Sequence, residues 1–218
     1  YAGKTMSNGT ERYLAGWCPT RIGDGDEDQW GGSLVCHRML FNADGTIDLK
    51  LPDGIDKKFT TLKKTVLIDK SGKAVKKEDS YVLSDVASVS FPRLDKTCKI
   101  EATVKATGND DAFGFAFGAC DDKTEVYSIR FDLKNKQLVM SKDDLTRGTT
   151  PTQTNVALTV PADKLFKVKI VAEKSVCVMY VNDKIAFSNR IDKMPKNPWA
   201  IFTDKGTEIS FSDIKVYE

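Results

Sequence analysis

Histidine is almost missing: His37 is the only one in 218 residues. A Ser-His-acid triad needs an imidazole base, and no Gly-x-Ser-x-Gly elbow accompanies the one available. Zinc sites need several His or Cys ligands at close spacing. The five cysteines, at 18, 36, 98, 120 and 177, are far apart and make no Cys-x-x-Cys pair, so no metal is expected. Four of them flank apolar strand residues and are expected to be buried thiols, with a disulfide between two of the five as the alternative. A glycine-rich phosphate loop is also absent, and no cofactor is expected. No apolar run approaches the ~18 residues of a membrane span, and "YAGKTMSNGT" has neither the basic start nor the apolar core of a signal peptide. Excess charge of one sign is lacking too. Lys+Arg number 33 and Asp+Glu 31, interspersed, which excludes the basic stripe of a nucleic-acid binder.

Helical periodicity is missing as well, and strand periodicity takes its place. "CKIEATVKAT" sets Ile100, Ala102 and Val104 against Lys99, Glu101, Thr103 and Lys105, the pattern of a half-buried strand. "EVYSIRFDL" sets Tyr127, Ile129, Phe131 and Leu133 against Ser128, Arg130 and Asp132, and "LFKVKIVAE" carries Phe166, Val168 and Ile170 between lysines. "SVCVMYV" is apolar on both parities, as a strand covered on both sides requires. Turn-forming connectors separate these runs: "NADG" at 42–45, "KNKQ" at 134–137 and Asn182-Asp183. Strand-length runs spaced by turns argue for an all-β sandwich or barrel, and the expectation adopted is a two-sheet antiparallel β-sandwich of concanavalin or jelly-roll type.

Composition shifts along the chain. Residues 1–59 are rich in Gly, Asp and Trp and hold two of the three tryptophans. Residues 60–80 are Lys-rich and weakly patterned, a connector with one strand in it, and from 81 to 218 the alternation is regular.

Acidic residues do not assemble into a convincing site. Asp24, Asp26 and Asp28 alternate like the start of a calcium loop, but Gln29 and Val35 stand where its glycine and final acid belong. The pairs at 110–111, 121–122 and 143–144 sit at turns, where Asp is favoured for backbone reasons.

The stretch from Arg12 to Ile55 resembles the last blade of the five-bladed propeller of glycoside hydrolase family 32, whose members cleave fructans. Gly16, Trp17 and Pro19 match its "GW(I/V)P" strand. Trp30, Gly32, Leu34, Arg38, Leu40, Asp44 and Gly45 match the following strand and turn. "GACDDKTEVYSIRFDLKNKQLVMSK", "SVCVMYVNDKIAFSNRI" and "AIFTDKGTEISFSDIKVYE" resemble successive strand pairs of the family's C-terminal sandwich. Departures are His37 and Met39 in place of a proline and a glutamate, and Cys177 in place of a glutamate.

The family's catalytic carboxylates lie on "WMNDPNG", "RDP" and "EC" motifs of earlier blades, and none of these strings occurs here. The resemblance thus implies a non-catalytic C-terminal module, with residues 1–59 as the remnant of the last blade. It also implies an upstream propeller segment as partner, in the same protein or another chain, and an extracellular or periplasmic setting. The tryptophan matching Trp30 borders the sugar pocket in that family, so Trp30 is the candidate carbohydrate contact, with packing between blades as its alternative. His37 is expected to face the blade interior or a neighbouring strand, and Trp199 to plug the sandwich core. The alternative function is an independent carbohydrate-binding or laminin-like recognition domain, which would have no use for a blade remnant.

Overall fold

The computed structural model describes residues 3–21, 28–94, 97–118, 125–144, 154–191 and 198–218; of these, 21, 28–30, 125, 143 and 144 are described by backbone alone. Four strands come first: β1 (Lys4–Ser7), β2 (Arg12–Arg21), β3 (Asp28–Phe41) and β4 (Ile47–Lys50). They form an antiparallel sheet in strict chain order, β1-β2-β3-β4. One helical turn, α1 (Asp53–Asp56), follows.

All later strands join one continuous sheet: β5 (Leu62–Lys63), β6 (Asp69–Lys77), β7 (Ser80–Phe91), β8 (Thr97–Ala106), β9 (Ala112–Phe117), β10 (Glu125–Asp132) and β11 (Gln137–Asp144), then β12 (Thr154–Ala157), β13 (Leu165–Glu173), β14 (Val176–Val181), β15 (Ile185–Arg190), β16 (Trp199–Lys205) and β17 (Ile209–Tyr217). Its order is β12-β11-β10-β9-β16-β7-β17-β8-β13-β14-β15, with β6 on β7 and β5 on β17.

The sheet doubles over because β7 serves both layers. Tyr81–Leu83 pair with β17, whereas Ala87–Phe91 pair with β16. Between these halves Asp85 takes φ 55, and β6 shifts register beside it at Gly72, φ 67. A Cβ at Gly72 would lie 2.1 Å from the Val86 carbonyl oxygen, so this corner needs glycine.

The alternating residues read from sequence line the space between the layers. Phe113 stacks on Phe131 at 5.0 Å and meets Phe166 of the opposite layer at 5.9 Å. Phe115 meets Phe211 edge-on, and Trp199, 2% exposed, stacks on Phe91 at 4.5 Å. Trp199 does plug the core. The turns also fall where expected. Asn182 and Asp183 both have positive φ, and Lys184 N–H closes the turn onto the Val181 carbonyl at 3.0 Å. Two residues expected on wet faces, Lys99 and Ser128, are buried.

Candidate functional site

The outer face of β14 explains why that strand is apolar on both parities. Cys177, Met179 and Val181 face the sandwich core, while Val176, Val178 and Tyr180 point outward. Cys18 and Val35 of the four-stranded sheet, with Leu51 just past β4, cover them. Residues 33, 35, 37 and 39 of β3 share this side, so β3 contributes alternate residues to the seam.

Polar groups inside the seam are matched rather than left bare. Arg190 at the end of β15 donates from Nε to the Pro19 carbonyl (2.7 Å) and from Nη2 to the Cys18 carbonyl (2.8 Å). It also donates to Ser175 Oγ (2.5 Å) and Ser33 Oγ (3.3 Å). His37 lies 3.0 Å from Tyr180 Oη through Nδ1 and 3.3 Å from Ser188 Oγ through Nε2. With the proton on Nδ1, the ring donates to Tyr180 Oη, the Tyr180 hydroxyl donates to the Cys36 carbonyl (3.5 Å), and Ser188 donates to Nε2. Burial pushes His37 down to about 4, so the ring is neutral, and it pushes the Tyr180 hydroxyl up. The histidine turns away from its own sheet onto two strands of the sandwich.

A second fastening lies at α1. Asp56 bonds Lys99 Nζ (2.5 Å) and Lys169 Nζ (3.0 Å), and Lys99 also pairs with Glu101 (2.8 Å). The Lys99 ammonium sits 4.7 Å from the Tyr217 ring centroid. Burial alone would lower Lys99 and raise Asp56; their mutual hydrogen bonds reverse both tendencies, holding the ammonium charged and the carboxyl low. Periodicity could not reveal this burial, because the covering groups arrive from residues more than forty positions earlier. For β14 a signal did exist: a strand apolar on both faces demands a second cover.

The opposite face of the small sheet is different. There Tyr13, Ala15 and Trp17 lie across from Arg38, Cys36 and Leu34, and Met6 lies beside Tyr13. Leu34 is 76% and Met6 51% exposed.

Trp30 belongs to β3, but its side chain lies outside the described residues. Its backbone occupies a bulge: Pro19 pairs with Gly32 and Thr20 with Gln29, leaving Trp30 and Gly31 (φ 103) as extra residues between them. The double glycine after Trp30 has two jobs. Gly31 takes the positive φ, and a Cβ at Gly32 would lie 2.3 Å from the Cys18 carbonyl oxygen. Of the other family-matching residues, Gly16, Trp17, Pro19, Gly32, Leu34 and Arg38 share the β2-β3 ladder, and Leu40 follows in β3. Gly45 takes φ 84 in the β3-β4 turn, where Asp44 accepts from Thr46. Residues 24 and 26, Cys120 and the acid pair at 121–122 lie outside the described residues, as do the side chains of Asp28, Asp143 and Asp144. Cys18, Cys98 and Cys177 are buried and Cys36 is half-buried.

Among the described residues, carboxylates whose pKa is displaced all move downward. Hydrogen bonding from Thr46 lowers Asp44, and a bond from Lys50 lowers Asp53. Asp132, which burial alone would raise, is held low with Asp56 by hydrogen-bond donors. Asp111, 4% exposed, accepts from Gly108 N and Thr207 N and ties two loops together. These are structural uses of carboxylates.

With this geometry in place, the family model described as GH32, BT1760-like, C-terminal domain matches residues 45–216. No curated protein matches the sequence. The fructosyltransferase of A. japonicus is similar in structure with a TM-score of 0.69 and 13% identity, over 95% of this chain and 40% of that one. An exo-inulinase from Aspergillus awamori is similar at TM-score 0.67 and 15% identity, over 100% of this chain and 42% of the enzyme. The carbohydrate binding module CBM66 from Bacillus subtilis is similar at TM-score 0.57 and 11% identity, over 73% of this chain and 99% of the module. Such identities speak for the shared fold alone. This chain thus spans about two-fifths of the length of either enzyme, 40% and 42%. The family match, by contrast, takes in most of the sequence: the chain belongs to the GH32, BT1760-like, C-terminal domain family, as its β-sandwich.

Proposed function

We propose that the chain is the non-catalytic C-terminal portion of a protein acting on β-fructosides, and that it braces a catalytic propeller through residues 1–59. Residues 60–80 then connect that last blade to the sandwich of 81–218, with β6 already hydrogen-bonded to β7. The observation that carries this reading is the two-sided character of the small sheet. It is a four-stranded meander, as a propeller blade is. One face is fastened to the sandwich through His37, Cys18 and Arg190, while the other presents Leu34 and Met6 to solvent. An upstream blade is the occupant such a face fits, and the larger enzymes of similar fold have more than half their length beyond the shared part. Secretion and a role in polysaccharide use follow from that assignment. Trp30, at a bulge of this sheet, is the carbohydrate contact.

Glycoside cleavage by two carboxyl groups calls for one with a raised pKa as general acid. The displaced carboxyls among the described residues are all low, so none of these is suited to be the general acid. The isolated chain will release no fructose from sucrose, inulin or levan. Release proportional to protein concentration, and lost on mutating acids of this chain, would refute the reading.

A further inference from the structure

The corner of β7 borders a cleft of about 1050 Å³, completed by the β8–β9 loop, the β16–β17 turn and Lys73 of β6. One buried carboxylate fixes two of these walls to each other. Asp111 accepts from Gly108 N (2.7 Å) in its own loop, and from Thr207 N (3.2 Å) and Oγ1 (3.3 Å) in the turn opposite. Thr107 Oγ1 adds a bond to the Glu208 carbonyl (3.1 Å). Asp85 N–H donates to the Gly206 carbonyl (2.9 Å), which ties the β7 corner to the same turn. A Cβ at Gly108 would lie 2.3 Å from Asp111 Oδ1, so the loop closes on its carboxylate only with glycine there. Asp85 and Val86 are extra residues at the corner, because Lys73 pairs with Ser84 and Gly72 with Ala87. Val86 is left 72% exposed at the cleft, on backbone that its neighbours hold.

The polar groups lining this space are used unequally. Lys73 is bonded to Asp85 (2.6 Å), and Asp204 is already paired with Arg130. The side chains of Ser84, Asn109, Asp110 and Lys205 bond no described residue. Of the acid pair at 110–111, one member thus builds the frame and the other is left for a ligand. Both signs of charge line the cleft, Lys73 and Lys205 with Asp85, Asp110 and Asp204. A phosphate or sulfate ester would meet carboxylates there, and a cationic ligand would meet ammonium groups. Among the described residues no three His, Cys, Asp or Glu side chains are grouped to hold a metal ion. Val86 is the one large apolar side chain in the described lining, too little for an apolar ligand. A neutral molecule dense in hydroxyls suits every group present. Its hydroxyls donate to Asp110 and the Asn109 carbonyl oxygen, accept from Lys205 and the Asn109 amide, and its C–H surface covers Val86. The volume stands at the upper end of the ~300–1,000 Å³ of small-molecule sites, room for more than one sugar ring.

We propose that this cleft binds a neutral oligosaccharide through Asn109, Asp110 and Lys205, at a site borne by the sandwich itself and separate from Trp30. The chemistry of the cleft sets the ligand class; only the choice of a fructose-containing probe rests on the reading that the chain serves a β-fructoside-acting protein.

The test is an amide-resolved NMR titration of the whole chain with a fructose-containing trisaccharide, maltotriose, cellotriose and inorganic phosphate. At least one neutral sugar is expected to shift the Val86, Asn109, Asp110 and Gly206 signals saturably. Asp110→Ala removes one charge-assisted hydrogen bond and should weaken this about tenfold. The double variant Asn109→Ala/Lys205→Ala should weaken it at least as much. All three side chains are exposed, and a dispersed spectrum of each variant shows that it folds. No saturable shift at the cleft with any neutral sugar, shifts confined to other parts of the chain, a shift with phosphate alone, or unchanged affinity in both variants would overturn the site. Fructose release by the chain would sink the non-catalytic reading without touching this one.

Discussion

The two sheets of this molecule end in opposite conditions. The large sheet folds over on itself, so both of its layers supply rings to one core: Phe113, Phe131, Phe166 and Phe211 meet across the middle. The small sheet has no second layer of its own. Among its described residues the buried apolar ones are few, Ala15 and Cys18, and Cys18, with Leu51 just past β4, is buried against β14. A strand's alternation therefore specifies a face to be covered; whether the cover lies in the same element depends on the length of sheet available to fold back. The small sheet depends on its neighbour for stability, and the large one does not.

That dependence is tested most strongly in the large core. Phe113→Ala removes a fully buried ring that touches three others and should cost about 3–5 kcal/mol. Hydrogen exchange should show protection falling in both sheets together, because the small one has nothing else to fold on. A small sheet that keeps its protection while the sandwich loses its own would break the comparison.

Most of the large sheet was legible in the sequence, since alternation with fixed polar turns is a local signal. Phe166, Val168 and Ile170 are inside, and the Asn182-Asp183 turn has the backbone it was expected to have. The seam was not legible. Arg190 reaches carbonyls more than 170 positions away, and Lys99 is buried by residues brought over it from a distant part of the chain.

A middle-sized effect isolates the seam by acid. His37 titrates near 6.5 when free and at about 4 when docked, because burial disfavours the imidazolium. Around it stand the Tyr180 and Ser188 hydroxyls and the Cys36 carbonyl, with no described carboxylate bonded to the ring. Between those two values the undocked state binds a proton that the docked state does not. Docking is therefore fully present above about 6.5, weakens as pH falls, and reaches its floor near 4. The displacement from 6.5 to about 4 is worth about 3 kcal/mol. Exchange protection in residues 12–21 and 33–41 should fall over that window while β8 and β13 stay protected, and His37→Asn should flatten the response. Equal acid loss in both sheets would mean the seam is not the sensitive part.

The smallest effect on stability tells most about the open face. Leu34 lies across from Trp17 on the side of the small sheet that the sandwich leaves uncovered, and it is 76% exposed. A side chain already in water loses little when replaced, so Leu34→Glu should change the melting free energy by less than about 0.5 kcal/mol. Burying it against an upstream blade, however, would be worth about 1.5–3 kcal/mol, and an unmet apolar face finds substitutes at high concentration. Sedimentation should therefore show the unaltered chain self-associating as concentration rises, and Leu34→Glu shifting it toward monomer, with the melting curve unmoved. If the unaltered chain stays monomeric, or Leu34→Glu destabilises it by more than 1 kcal/mol, the face is already satisfied within this chain. The small sheet would then be a finished part of the sandwich, not a blade waiting for its neighbour.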